Sequence, residues 1–167
     1  MKKRFLEWFG LKRTLHEADA EPPMFNDGEI WWCAMGENVG IEVNGKDKPF
    51  SRPIFIYKKL SRQGFMGIPL TTSKKTGSWY VEFDFQGKTS LANLAQARVL
   101  SAKRLYNKMG DLDDNDAAKI SEGFVKLYSN NKIFPTRAGN VGNPKYVKHY
   151  SKSKLQSQAR QSSGGKK

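Results

Sequence analysis

The central part of this chain offers few groups for chemistry, and they fall where short apolar runs begin or end. Glu42 lies in a long polar loop, Arg52 opens one run, Thr71, Thr72 and Ser73 close the next, and Gln96 and Arg98 follow a later one. Arginine is a permanently charged fork of donors, threonine a hydroxyl donor, and glutamine an amide that does not titrate. Such a set can grip an oxyanion, but it lacks the side chain most used for proton transfer at neutral pH. Both histidines, His16 and His149, stand outside this region. There is no Walker loop, HExxH, GxSxG or carboxylate cluster with metal-ligand spacing, so metal-assisted hydrolysis is not expected and no cofactor is implied. Taken singly, Arg52 before Pro53 reads as a surface arginine and the threonines as turn residues.

The charge balance points to the partner. Net charge is +13, and it is uneven: residues 136–167 hold eight Lys/Arg and no acid, whereas residues 25–135 hold sixteen bases against twelve acids. A polyanion is the expected partner, because each cation laid on a phosphate releases condensed counterions. With 167 residues, 38% of them hydrophobic, there is material for one core. A lone Cys33 excludes an internal disulfide and reads as a buried strand residue. No apolar run approaches the ~20 residues that span a bilayer, and the start MKKRFLEWFGL lacks the features of a signal peptide. A soluble, cytoplasmic protein is the expectation.

Three segments must position these residues. Residues 1–27 read as an extension: a helix over 2–11 with Phe5, Leu6, Phe9 and more loosely Trp8 on one side, then a linker over 17–27 rich in Glu, Asp, Ala and Pro. The helix is expected on its own barrel or a dimer mate, with a membrane surface as the alternative. Residues 28–135 form the domain. Aromatic and β-branched runs separated by Gly, Asn and Lys place strands near 28–35, 52–58, 64–70, 78–85, 89–92 and 95–101. In the first of them, neighbouring Trp31 and Trp32 should face opposite sides. Residues 113–128 read as a helix capped by Asp113 or Asp114, with Ile120, Phe124, Leu127 and Tyr128 on one face. Residues 136–167, made of Lys, Ser, Gln and Gly, are expected to be a disordered basic tail.

The order of these motifs carries a resemblance. GEIWWCAMGENVGIEVNGKDKPFSRPIFIYKK resembles the opening of the MazF/PemK toxins, in which a Gly-Asp/Glu-aliphatic-aromatic strand leads to a G-x-E loop and an R-P-aliphatic strand. GFMGIPLTTS is similar to the family's strand ending in Leu-Thr-Thr/Ser, and SLANLAQARVLSAKRL to its Asp/Glu-Gln-x-Arg/Lys strand with a basic segment behind it. The likeness spans roughly residues 28–128. Two departures stand out: the NGKDKPFSRP loop is several residues longer than the usual link, and Ala95 stands where the family often has an acid.

The resemblance implies a mainly β (α+β) fold, a small SH3-like barrel of the CcdB/MazF/PemK type with a C-terminal helix. It implies a toxin endoribonuclease that cuts single-stranded RNA without metal, works as a homodimer and is held by a cognate antitoxin. By the same resemblance, Arg52 and Thr71 contact the scissile phosphate with Glu42 and Gln96 beside them. Asn44, Lys46, Lys48, Thr72, Ser73, Lys74, Lys75 and Arg98 line the path of the strand. RNA's own 2′-OH can attack the neighbouring phosphate, so the enzyme needs mainly to hold the backbone in line and stabilise developing charge. Glu42 would assist removal of the 2′-OH proton and Arg52 would donate to the leaving 5′-oxygen, or the reverse.

The same fold permits a non-catalytic RNA- or protein-binding module, or a gyrase poison of the CcdB type. The tail sets its own test. If it touches RNA, deleting residues 136–167 weakens binding at low salt and flattens the salt dependence, by a slope of about 0.7 for each phosphate that the tail neutralises. The preferred cut sequence stays the same. Superimposable salt curves for the full-length and shortened proteins would make the tail a solubilising extension instead.

Overall fold

The computed structural model describes residues 3–47 and 49–129. Residues 1 and 2, Lys48 and the segment from 130 onward, including the tail expected to be disordered and His149, lie outside the described residues. In chain order the elements are α1 (Phe5–Glu17), β1 (Glu29–Ala34), β2 (Ser51–Lys59), β3 (Gly64–Thr71), β4 (Tyr80–Phe85), β5 (Lys88–Asn93), β6 (Arg98–Ser101), β7 (Leu105–Asp111) and α2 (Asp114–Tyr128). Single 3₁₀ turns precede β6 and β7. No helix among the described residues is long and apolar enough to cross a membrane.

The seven strands make one antiparallel sheet ordered β4-β5-β3-β2-β1-β7, with β6 paired to β3. β3 holds the two branches together. Its Gly64–Gly67 half pairs with β6, and Leu70 and Thr71 pair with β5. The sheet has the strands and helix expected of the toxin fold, but it is not closed into a barrel by a continuous ladder. Its two end strands meet through side chains instead: Gln86 Nε2 donates to Met109 O at 2.8 Å, and the Phe85 ring lies against Gly110. Gln86 and Gly87, both at positive φ, form the two-residue turn between β4 and β5 that aims this corner.

Strand alternation sorts the core into two layers. Trp31, Cys33, Ile54, Ile56 and Phe65 pack in one cluster with Leu100 and Leu105. Ile30, Phe55, Ile68, Leu70 and Phe83 pack in another, which α2 covers with Ile120. As expected, α2 turns Ile120, Phe124 and Leu127 inward, and Asp113 is its cap, accepting from Asn115 N at 2.9 Å. Tyr128 remains exposed over half its surface but donates its hydroxyl to Leu94 O at 3.2 Å.

Three expectations change. The N-terminal helix runs to Glu17 and buries a different face: Trp8, with Leu11 and Leu15 partly buried behind it, packs against Ala34, Phe50 and Tyr106. Phe5, Leu6 and Phe9 stay exposed. The 95–101 segment opens as a turn over Leu94–Gln96, closed by Ala97 N donating to Leu94 O, and becomes strand only at Arg98. Residues 105–111 form a strand that sequence reasoning missed. They carry little apolar alternation, and β7 forms because β1 offers it a ladder.

Glu29, the acid of the Gly-Asp/Glu landmark, is a structural brace. It is 5% exposed and accepts from Asn26 N at 2.9 Å, Trp31 Nε1 at 2.7 Å and Lys108 Nζ at 2.9 Å. Burial alone would push its carboxyl up, but the bonds from Lys108, Asn26 and Trp31 outweigh burial and hold it below its ordinary value. A carboxyl depressed in the folded state contributes stability that is present above its ordinary value of 4.5 and is lost as pH falls through the depressed value. Glu29→Gln should therefore cost about 1–3 kcal/mol at neutral pH, measured by urea unfolding. The gap to the parent should close in acid; a gap that persists unchanged there would contradict this role.

Candidate functional site

A cleft of about 490 Å³ lies between the 36–50 loop, the end of β3 and the β4–β5 hairpin. Arg52 lies on its wall with Thr71, Thr72 and Lys46, over a floor that includes Phe83 and Leu70. Trp31 is buried and Trp32 opens onto this cleft, as adjacent strand residues must.

Two backbone carbonyls fix Arg52. Its Nε donates to Asn44 O at 2.9 Å and its Nη1 to Leu70 O at 3.4 Å, so the loop and the β3 end aim the guanidinium together. No carboxylate among the described residues pairs with it. Burial draws its pKa down from the ordinary arginine range. An arginine stays protonated regardless. The result is a half-desolvated cation facing a cleft, the arrangement that an anionic ligand would complete.

The loop is self-braced. Asn38 N donates to Asn44 Oδ1 at 2.6 Å, Asn38 Nδ2 donates to Val43 O at 2.7 Å, and Gly45 N donates to Gly36 O at 2.8 Å. Val43 N donates to Gln96 Oε1 at 3.1 Å, and Arg98 Nη2 donates to the same oxygen at 3.3 Å. Gln96 and Arg98 thus stand behind the loop and reach Arg52 through residues 43 and 44. The structure brings Arg52, Thr71, Thr72 and Lys46 onto one cleft, with Asn44, Gln96 and Arg98 as their support. Thr71 Oγ1 accepts from Ser73 N at 3.2 Å, and Ser73, Lys74 and Lys75 continue from it as an exposed rim. Glu42 sits at the exposed loop tip, accepting from Val39 N at 3.3 Å, and is not on the cleft wall. The acid that lines the cleft is Asp47.

Sequence reasoning did not single out Asp47, Lys88, Gln86 or Phe85 as cleft residues. Lys88 and Gln86 arrive only through the β4–β5 corner, which no local motif marks. The basic segment behind β6 has a structural role. Lys103 Nζ donates to His16 O at 3.1 Å and Ala18 O at 2.6 Å, ending α1, and Arg104 Nη1 donates to Ala34 O at 2.8 Å. Those cations tie structure together rather than face the cleft. Among the described residues no group of three or more His, Cys, Asp or Glu could hold a metal ion.

Fold and cleft place the chain among the small antiparallel β proteins with a closing helix. Solved structures of that shape include an endoribonuclease in complex with its cognate antitoxin from a Mycobacterial species, at 15% identity and TM-score 0.50, covering 67% of this chain and 100% of that one. A second is MazF from Deinococcus radiodurans, at 15% identity and TM-score 0.53, covering 66% and 99%. These likenesses concern the fold. No curated protein matches the sequence. The family model for the PemK-like, MazF-like toxin of type II toxin-antitoxin systems matches residues 26–128, and the chain belongs to that family.

Cys33 pairs with Arg52 across the β1–β2 ladder, close enough to the site to be weighed as a nucleophile. It is fully buried, and burial pushes its thiol up to about 12, leaving almost no thiolate at neutral pH. A thiol reagent at pH 8 should therefore leave the folded protein unmodified and label one cysteine only in denaturant. Prompt labelling of the native protein would contradict this burial.

Proposed function

We propose that this protein is a toxin endoribonuclease that cuts single-stranded RNA without metal, through attack of the 2′-OH on the adjacent phosphate. The observation that carries this reading is Arg52: a half-buried guanidinium held by two carbonyls, unpaired with any carboxylate among the described residues, and facing a cleft with two threonine hydroxyls. A phosphate would supply the missing counter-charge. Preorganised donors of this kind gain most as charge develops in the transition state.

In this reading Arg52 and Thr71 hold the phosphoryl oxygens, while Lys46, Lys48, Lys74, Lys75 and Arg98 track the backbone with Asn44, Thr72 and Ser73. Gln96 acts by fixing the loop through Val43. Attack by the 2′-OH on phosphorus expels the 5′-oxygen, so the 2′-OH proton must leave and the 5′-oxygen must gain one. Glu42 and Asp47 are the loop carboxylates for the first transfer, and Arg52 lies where it can assist the second. Trp32 on the cleft wall, with Lys88 lining the same cleft, suits a base stacked beside the phosphate. The partners of the reading are RNA, a cognate antitoxin and a second copy of the chain, in the cytoplasm.

Labelled RNA incubated with the full-length protein in EDTA should be cut to 2′,3′-cyclic phosphate and 5′-OH ends, and a 2′-deoxy substitution at the cut should stop it. Arg52→Ala should lose about 10² or more in rate while its thermal unfolding stays cooperative. Glu42→Gln and Asp47→Asn then show which carboxylate moves the pH profile. A requirement for Mg²⁺, 3′-OH products, or parental cutting by a folded Arg52→Ala protein would sink the mechanism. Tight RNA binding without any cutting would instead favour the binding-module reading, for which the placement of Glu42 off the cleft wall is the specific argument.

A further inference from the structure

Two of the features in which this chain departs from the family pattern touch each other. The family match begins at residue 26, so α1 stands outside it, and the long NGKDKPFSRP loop is the other departure. Phe50, at the end of that loop, takes a positive φ of 59°, a conformation that an aromatic residue rarely adopts. Met35 N and Gly36 N donate to its carbonyl at 2.9 and 3.2 Å. The Trp8 ring lies 5.8 Å from the Phe50 ring, and the Arg4 guanidinium sits 4.4 Å over its face. Arg4 Nη2 also donates to Asp47 O at 3.0 Å. At the other foot of the loop, a Cβ on Gly36 would fall 2.3 Å from the Trp8 indole, and Lys3 Nζ pairs with the buried Glu37 carboxylate at 3.4 Å.

We propose that residues 3–8 are a clamp for the site loop, with Lys3, Arg4 and Trp8 as positioning residues for the proposed RNA cleavage, the reading on which this inference rests. The clamp grips both feet of the loop, at Gly36 and Glu37 and at Asp47 and Phe50. Between those feet lie Val43 and Asn44, whose backbone groups meet Gln96 and Arg52, and Lys46 on the cleft wall. The extra loop residues supply the knob, and the extra helix supplies the socket. The far end of α1 is anchored by Lys103 on the carbonyls of His16 and Ala18, and Arg104 stacks 5.3 Å from the Trp8 ring. The helix therefore has a fixed base from which to hold the loop.

Amide hydrogen exchange on the full-length protein tests the clamp without relying on activity. In Trp8→Ala and in Arg4→Ala, the amides of Asn38, Val43 and Gly45 should exchange about tenfold faster or more, while those of Ile54–Ile56 in β2 keep the parental rate. RNA cleavage should fall by about tenfold, in kcat rather than KM, because a misplaced donor forfeits transition-state alignment. Arg4→Lys should recover part of the rate. Arg4 is the safer site should Trp8→Ala fail to fold, since its side chain is only partly buried. Unchanged loop exchange in Arg4→Ala would overturn the proposal, as would loop exchange that rises with cleavage unaffected, or a rise equal in loop and sheet. If the parent protein cuts no RNA, the cleavage reading falls while the exchange pattern still decides the clamp.

Discussion

A cation partly withdrawn from water and paired with no carboxylate among the described residues is the constraint around which this molecule is arranged. Two carbonyl acceptors satisfy part of the Arg52 fork, but hydrogen bonds to neutral oxygens do not replace a counter-charge. The stability of the surrounding sheet must carry that deficit. Hence the layered packing on both faces of β2: Ile54 and Ile56 are buried in one cluster and Phe55 in the other, directly after Arg52 and Pro53. The side chain is placed on a strand that cannot shift without disturbing both layers.

Rigidity at the strand is not enough, because one of the two carbonyls belongs to a loop. Asn44 O comes from a long excursion that most small β domains would leave mobile. Here it is tied internally by Asn38 and Asn44, against Gln96 from the far side, and at its feet by α1. Each tie is modest, in the range of about 1 kcal/mol for an ordinary hydrogen bond. Their value lies in acting on the same short segment, so that opening the loop requires several to break at once. The same logic explains Glu29, whose bonds join the segment before β1 to β1 and β7 and fix the sheet edge on which α1 leans.

What the sequence discloses follows from where the information lies. Strands β1 to β5 and α2 are legible because their apolar periodicity is set by the layers they pack into, and Asp113 because a cap is a local device. The family landmarks lead to Arg52 and Thr71, which do share a cleft. β7 is not legible, since LYNKMGD has little alternation and is held by its neighbour. The face of α1 misleads for a related reason. Phe5, Leu6 and Phe9 look like the apolar side, but the surface that α1 meets is Gly36 and Phe50, and their spacing selects Trp8, Leu11 and Leu15. A single-sequence pattern reports a helix's own faces and not which of them finds a partner. Glu42 shows the same limit in the site: its spacing from Gly40 fits the G-x-E landmark, while the longer loop carries Asp47 to the cleft wall.

The departures from the family pattern therefore change meaning in the folded chain. A longer loop raises the entropy of the segment that aims Arg52, although the closure cost grows only slowly with length. The greater risk is positional: every added residue widens the set of places where Asn44 O can lie. An N-terminal helix bearing Trp8 and Arg4 removes that freedom by gripping the residue that ends the excursion, Phe50, in a backbone conformation it would not hold alone. On this argument the helix and the lengthened loop are one device, and neither would be neutral without the other. A chain with the loop but not the helix would keep the landmarks and lose the aim of its arginine; with the helix but not the loop, it would expose a tryptophan with nothing to cover.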